Sequence, residues 1–186
     1  MNPHTFQISR DSQALFITLT TKNRLPVFRK DELKDVLCRA IDEARRSAGL
    51  FLFAHVVMID HLHILTDQPK PTSEVLLVLK GITARRLIDF LKQGKYQHSL
   101  EKLRHEVQNR NYKYSLCQTE KNVLPIFSEG MFMQKVNYVH NNPVRAGFVE
   151  RPIDYRWSSA RIWRGCAGDD EPLLVDIDRI KWRQSR

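Results

Sequence analysis

Two histidines one residue apart, His61 and His63, sit inside the apolar stretch "VVMIDHLHILTD" (56–67). On a β-strand successive side chains alternate between faces, so both imidazoles point one way and Leu62 the other. Such a pair is either two surface residues or two nitrogen ligands of one divalent ion, which then needs a further donor and open positions. A second polar cluster lies far downstream, where Tyr138 shares a helical face with Gln134 and Asn142, each four residues away. A phenol is an available nucleophile, and carboxamide oxygens are hard donors suited to Mg²⁺ or Mn²⁺. Taken singly, each cluster also has a structural reading: a half-buried aromatic with a wet hydroxyl, and a surface histidine pair.

The elements that must position these groups read clearly in places. "ALFITLTT" (14–21) predicts a first strand, and "KDELKDVLCRAIDEARRSAG" (30–49) an amphipathic helix stopped by Gly49. "LFLFAHVVMI" (50–59) and "HLHILTD" (61–67) predict two strands around a tight turn near Asp60, followed by a second long helix over 73–94. Residues 95–111 are polar and aperiodic and read as a loop, while "YKYSLCQ" (112–118) alternates enough to predict a fourth strand. "SEGMFMQKVNYVHNNP" (128–143) predicts a third helix that buries Phe132, Val136 and Val139 and ends at Pro143. Asn142, immediately before the proline, is then expected outside helical geometry. The order β-α-β-β-α-β predicts an α+β fold of the ferredoxin or RRM-like split βαβ type. Its antiparallel sheet is joined by an additional helix, C-terminal to it, that carries the tyrosine. We expect one domain over 1–165 and a tail over 166–186.

Composition limits the function classes. The 186 residues suffice for one domain with a real core, and 30 Lys+Arg against 21 Asp+Glu give a net charge of +9. That surplus favours a polyanionic partner, usually nucleic acid. No apolar run approaches the ~20 residues of a membrane span, the N-terminal residues lack the apolar core of a signal peptide, and Cys38, Cys117 and Cys166 suggest neither a disulfide framework nor a zinc knuckle. The expected compartment is the cytoplasm, with no membrane partner. A zinc enzyme acting on a small molecule is disfavoured, because no HExxH or cysteine-rich ligand set accompanies the histidine pair.

The His-hydrophobic-His triplet at 61–63 together with "YVHNNPVRAGFVERPIDYRWSSA" (138–160) resembles the REP-associated tyrosine transposases, single-tyrosine relatives of the HUH endonucleases. The resemblance implies that His61 and His63 hold a Mg²⁺ or Mn²⁺ ion, that Asn142 completes the metal site, with Gln134 or His140 as the alternatives, and that Tyr138 is the nucleophile. It further implies cleavage and strand transfer on single-stranded DNA bearing palindromic hairpins, through a 5′-phosphotyrosine, by a monomer rather than a tyrosine-swapped dimer. Lys22, Arg24, Lys80, Arg85 and Arg86 are the candidate phosphate contacts, with Arg145 and Arg151 near the nucleophile. Tyr112, Tyr114, Tyr155 and Trp157 are candidates for stacking bases, the tail aromatics alternatively forming a small core with Trp163. A module that binds hairpin DNA or RNA without catalysis is the competing expectation.

Overall fold

The computed structural model describes residues 5–104, 113–118 and 122–183. Its elements run Ala14–Thr20 (β1), Asp31–Ala48 (α1), Leu52–Val57 (β2), His61–Thr66 (β3), Thr72–Gln93 (α2), Gln97–Lys102 (α3), Asn122–Ile126 (β4), Glu129–Arg145 (α4) and Ala160–Trp163 (α5). The four strands form one antiparallel sheet in the order β2-β3-β1-β4. This is the expected split βαβ arrangement, and it puts β3 in the interior of the sheet.

Strand alternation divides the protein into two cores. Leu15, Ile17 and Leu19 of β1, with Leu62 and Ile64 of β3, pack beneath Leu37, Ile41, Leu79 and Leu87 of α1 and α2. Ala14, Phe16 and Leu65 emerge on the other face and meet Phe132, Val136 and Val139 of α4. With both faces of the sheet covered, inner β1 and edge β2 can both be apolar almost throughout, which is why "ALFITLT" and "LFAHVV" read as runs rather than strict alternations. α1 and α2 therefore lie on one side of the sheet and α4 on the other.

Three expectations are corrected. The fourth strand is Asn122–Ile126, not 112–118; among the described residues of that stretch, Tyr114 and Cys117 make only isolated bridges, to Arg104 and Thr21, and Tyr112 lies outside the described residues. A strand reading "NVLPI" carries Asn and Pro, which propensity disfavours, but β4 is an edge strand and tolerates a residue without an N–H donor. Within the stretch read as loop, Gln97–Lys102 is a short helix that buries Leu100. Pro143 does not end α4, which continues to Arg145. The helix stops instead in a Schellman turn: Gly147, at φ +73°, donates to Val144 O (2.9 Å) and Phe148 to Pro143 O (2.9 Å).

The other edge of the sheet, β2, is covered. Trp157 O accepts from Val57 N (2.9 Å), His55 O from Ser159 N (3.1 Å) and Leu52 O from Asp176 N (2.7 Å). The segment after residue 166 thus stitches itself to β2, and Phe6 bridges Ile180 beyond it. Tyr155, Trp157 and Trp163 serve this packing: their polar tips donate to Val57 O, Asp35 and Phe53 O. They form the small core expected as the alternative to base stacking.

Candidate active site

Register brings the polar residues of β1 and β3 together. His63 pairs with Thr18 and His61 with Thr20, so these four side chains share the face on which α4 lies. The two imidazole centroids are 4.9 Å apart and nearly perpendicular. Each ring is held through Nδ1: His63 Nδ1 lies 2.9 Å from Thr18 Oγ1, and His61 Nδ1 lies 2.6 Å from Asp60 Oδ1. Each ring thus turns Nδ1 toward an oxygen partner and Nε2 away from it, the arrangement by which outer partners orient metal-binding histidines.

Asp60 is itself fixed. The β2–β3 turn closes through Met58 N to His61 O (2.8 Å), and Asp60 O accepts from both Thr21 N (2.9 Å) and the buried Thr21 hydroxyl (2.8 Å). Asp60 Oδ2 takes the Arg24 guanidinium at 3.2 Å. Arg24 and its neighbour Asn23 both adopt φ 52°, a left-handed conformation that costs non-glycine residues energy and here lies beside a polar cluster.

The nucleophile candidate arrives from α4. The Ser128 side chain caps the helix by accepting from Met131 N. Phe132, Val136 and Val139 are buried against Phe53, Val56 and Leu65, each contributing about 1.5–3 kcal/mol by leaving water. This fixes the rotation of the helix and turns the neighbouring face, with Tyr138, toward the histidines. The Tyr138 ring is 5.3 Å from that of His63 and 5.8 Å from that of Phe16, while Phe16 and His63 stack at 5.1 Å. His63 forms the buried floor of this triangle and Tyr138 remains 36% exposed. Two cations flank the phenol: Lys135 Nζ and Arg145 Cζ each lie 5.4 Å from its ring centroid. Burial, with His61 and Lys135 nearby, pushes the His63 imidazole down to about 3, so it is neutral at pH 7 as a ligand must be.

The donor set fits a hard divalent ion only in part. Among the described residues no group of three or more His, Cys, Asp or Glu side chains could hold a metal. The chain therefore offers two imidazoles and leaves other positions to amide, water or phosphate oxygens, a pattern suited to an ion shared with a substrate phosphate. Asn142 remains helical, contrary to expectation, and its amide donates to Tyr138 O at 3.0 Å, which leaves its carbonyl oxygen as an available donor. His140 points elsewhere: it is buried, 2.9 Å from Ser159 Oγ, and packs against Trp163.

The candidate phosphate contacts divide. Arg24 and Arg145 border the site; Lys22, in the turn before Arg24, donates to Arg104 O at 2.8 Å. Lys80, Arg85 and Arg86 lie on α2, across the sheet from Tyr138; Lys80 donates to Gln118 O, and Arg86 forms a bidentate pair with Glu43 at 2.7 Å. Arg151 is tied to Asp154. Sequence reasoning passed over Thr18, Phe16, Asp60 as a histidine partner, and Lys135. Only Lys135 left a legible signal, being three residues before Tyr138 on the same helical face.

Comparison with known proteins follows this geometry. A solved REP-associated tyrosine transposase bound to a REP hairpin has the same fold, at 18% identity over 93% of each chain and a TM-score of 0.59. A putative transposase of Deinococcus radiodurans is 25% identical over 70% of this chain and 90% of its own, with a TM-score of 0.44. No curated protein sequence matches the chain significantly. The family described as "Transposase IS200 like" matches residues 11–124, a stretch that carries the whole sheet except its last two residues and both histidines but stops short of α4. On that match, over more than half of its length, the chain belongs to the IS200-like transposase family.

Proposed function

We propose that the chain is a metal-dependent endonuclease and strand transferase for hairpin-bearing single-stranded DNA, acting through Tyr138. The observation that carries this reading is the convergence of His61, His63 and Tyr138, from the middle of a sheet and from a separate helix, within about one side chain's reach. The REP hairpin in the neighbouring structure supports the choice of substrate.

His61 and His63 would hold Mg²⁺ or Mn²⁺ through Nε2, with Asn142 Oδ1 as the proposed third protein donor. When bound, the ion polarises the non-bridging oxygens of the scissile phosphate and offsets the charge that grows on them. Everything else is done by side chains of this chain. The Tyr138 oxygen forms a bond to phosphorus as the bond to the 3′ oxygen breaks. The phenolic proton passes to solvent, and the departing 3′ oxygen leaves as a hydroxyl. The product is a 5′-phosphotyrosine, one phosphodiester exchanged for another, so a 3′-hydroxyl can reverse the step and rejoin strands without ATP. Arg24 and Arg145, which border the site, would take flanking phosphates, and Lys22, Lys80, Arg85 and Arg86 would take phosphates farther along the DNA. A lone phenol with a pKa of ~10 is a weak nucleophile at neutral pH, so the fixed imidazoles and nearby cations supply what the phenol lacks.

The test is incubation with a pool of labelled, hairpin-bearing single strands with randomised flanks. Protein with Mn²⁺ is expected to form a covalent adduct resistant to denaturant, absent in EDTA and absent for Tyr138→Phe. Binding that survives EDTA with no adduct under any condition would instead favour the non-catalytic module.

A further inference from the structure

Lys135 reaches from α4 across to β1, where its ammonium stands 4.9 Å from the Phe16 ring centroid and 5.4 Å from that of Tyr138. Phe16 is 92% buried and gives the ammonium an apolar floor. Its partner across the sheet, Leu124 of β4, extends that floor outward and is 40% exposed. A half-buried lysine over two aromatic faces has its stem ordered and its charge poorly screened, while the rings occupy none of its three hydrogen-bond donors. Attraction to ring faces alone accounts for little, ~0.5–1 kcal/mol at an exposed site. The nearest centre that would use the charge is the position in front of Tyr138, where an attacked phosphate must sit.

We infer that Lys135 is a further catalytic residue, its ammonium contacting a non-bridging oxygen of the phosphate that Tyr138 attacks. The inference rests on the nuclease reading above and adds a second positive group to it. The ammonium over Phe16 would then share the phosphate with an ion held by the histidines. Such an arrangement favours the transition state over the ground state, because negative charge on those oxygens increases as the new bond forms. A purely structural lysine, bridging Phe16 to α4, would make no distinction between charged and neutral linkages.

The experiment uses the oligonucleotide recovered through its adduct with the wild-type protein, resynthesised with either a phosphodiester or a neutral methylphosphonate at the cleaved link. With Mn²⁺, Lys135→Gln is expected to slow adduct formation on the phosphodiester by on the order of 100-fold, while Lys135→Arg, which keeps the charge, reacts faster than the glutamine variant. In a Tyr138→Phe background, which cannot cut, Lys135→Gln should weaken binding of the phosphodiester and leave binding of the methylphosphonate unchanged. Thermal unfolding of both Lys135 variants near the wild-type temperature removes misfolding as a cause. An adduct that forms as fast without Lys135, or a loss of equal size on both linkages, overturns this inference alone. Failure of the wild type to form any adduct sinks the nuclease reading and this inference with it.

Discussion

Asp60 shows how few atoms set the character of the site. Its one carboxylate touches His61 Nδ1 at 2.6 Å and Arg24 at 3.2 Å, and its carbonyl is clasped by Thr21. The imidazole of His61 is thereby turned with Nδ1 toward the carboxylate, as His63 Nδ1 is turned toward Thr18. Replacing Asp60 by Asn keeps the shape, removes the charge and allows the ring to present the wrong nitrogen. We expect Asp60→Asn to weaken Mn²⁺ binding by roughly 10–100-fold, measured by electron paramagnetic resonance of free Mn²⁺, while far-UV circular dichroism stays that of the wild type. Unchanged Mn²⁺ affinity would show that the orientation of His61 does not depend on Asp60. His61, His63 and Tyr138 were legible from the sequence as residue types with meaningful spacing. Thr18 was not read because its role depends on register between strands, and Asp60 because its role depends on the shape of the β2–β3 turn; Lys135 was legible on the helical face of Tyr138 and was passed over.

At the level of elements, legibility followed packing. α1, α2 and the first three strands lie within two residues of their predicted bounds, since each helix buries a periodic apolar face and each strand is buried along almost its whole length. β4 was misplaced because an edge strand is selected by its neighbour β1 and by exposure rather than by propensity; "YKYSLCQ" has the better pattern and the wrong location. The end of α4 was misjudged for a related reason. Pro143 sits in the last turn, and the stop is supplied four residues later by the left-handed Gly147. No atom approaches within 4 Å of a Cβ built on Gly147, so Gly147→Ala has only backbone strain to meet and should cost about 1–2 kcal/mol. In the interior of α2, Gly81 has the same open space with ordinary helical geometry, and Gly81→Ala should stabilise by about 1 kcal/mol. Opposite shifts in thermal midpoint, each of about 2–4 °C per kcal/mol for a chain this size, would confirm that Gly147 ends the helix carrying Tyr138. A neutral Gly147→Ala would contradict it.

Over the whole molecule, the two faces of the sheet divide the work. α1 and α2 build the larger core on one side, and α4 completes the smaller core on the other while delivering Tyr138 to histidines of its own chain. A site assembled within one chain makes a definite prediction about mixtures. Tyr138→Phe protein mixed with His63→Ala protein should form no adduct, because neither chain holds both the phenol and the full histidine pair; recovery of adduct would reveal tyrosine exchange between subunits. The net charge of +9 fits a polyanionic partner, and the basic groups of α2 lie across the sheet from Tyr138. The central claim remains that one phenol attacks a phosphate held before two imidazoles. Its most direct test is proteolysis and mass spectrometry of the adduct trapped on a single-stranded hairpin in Mn²⁺. The account predicts a nucleotide mass on the peptide containing Tyr138, joined through the 5′ phosphate; the same mass on any other residue, with Tyr138 unmodified, would contradict it.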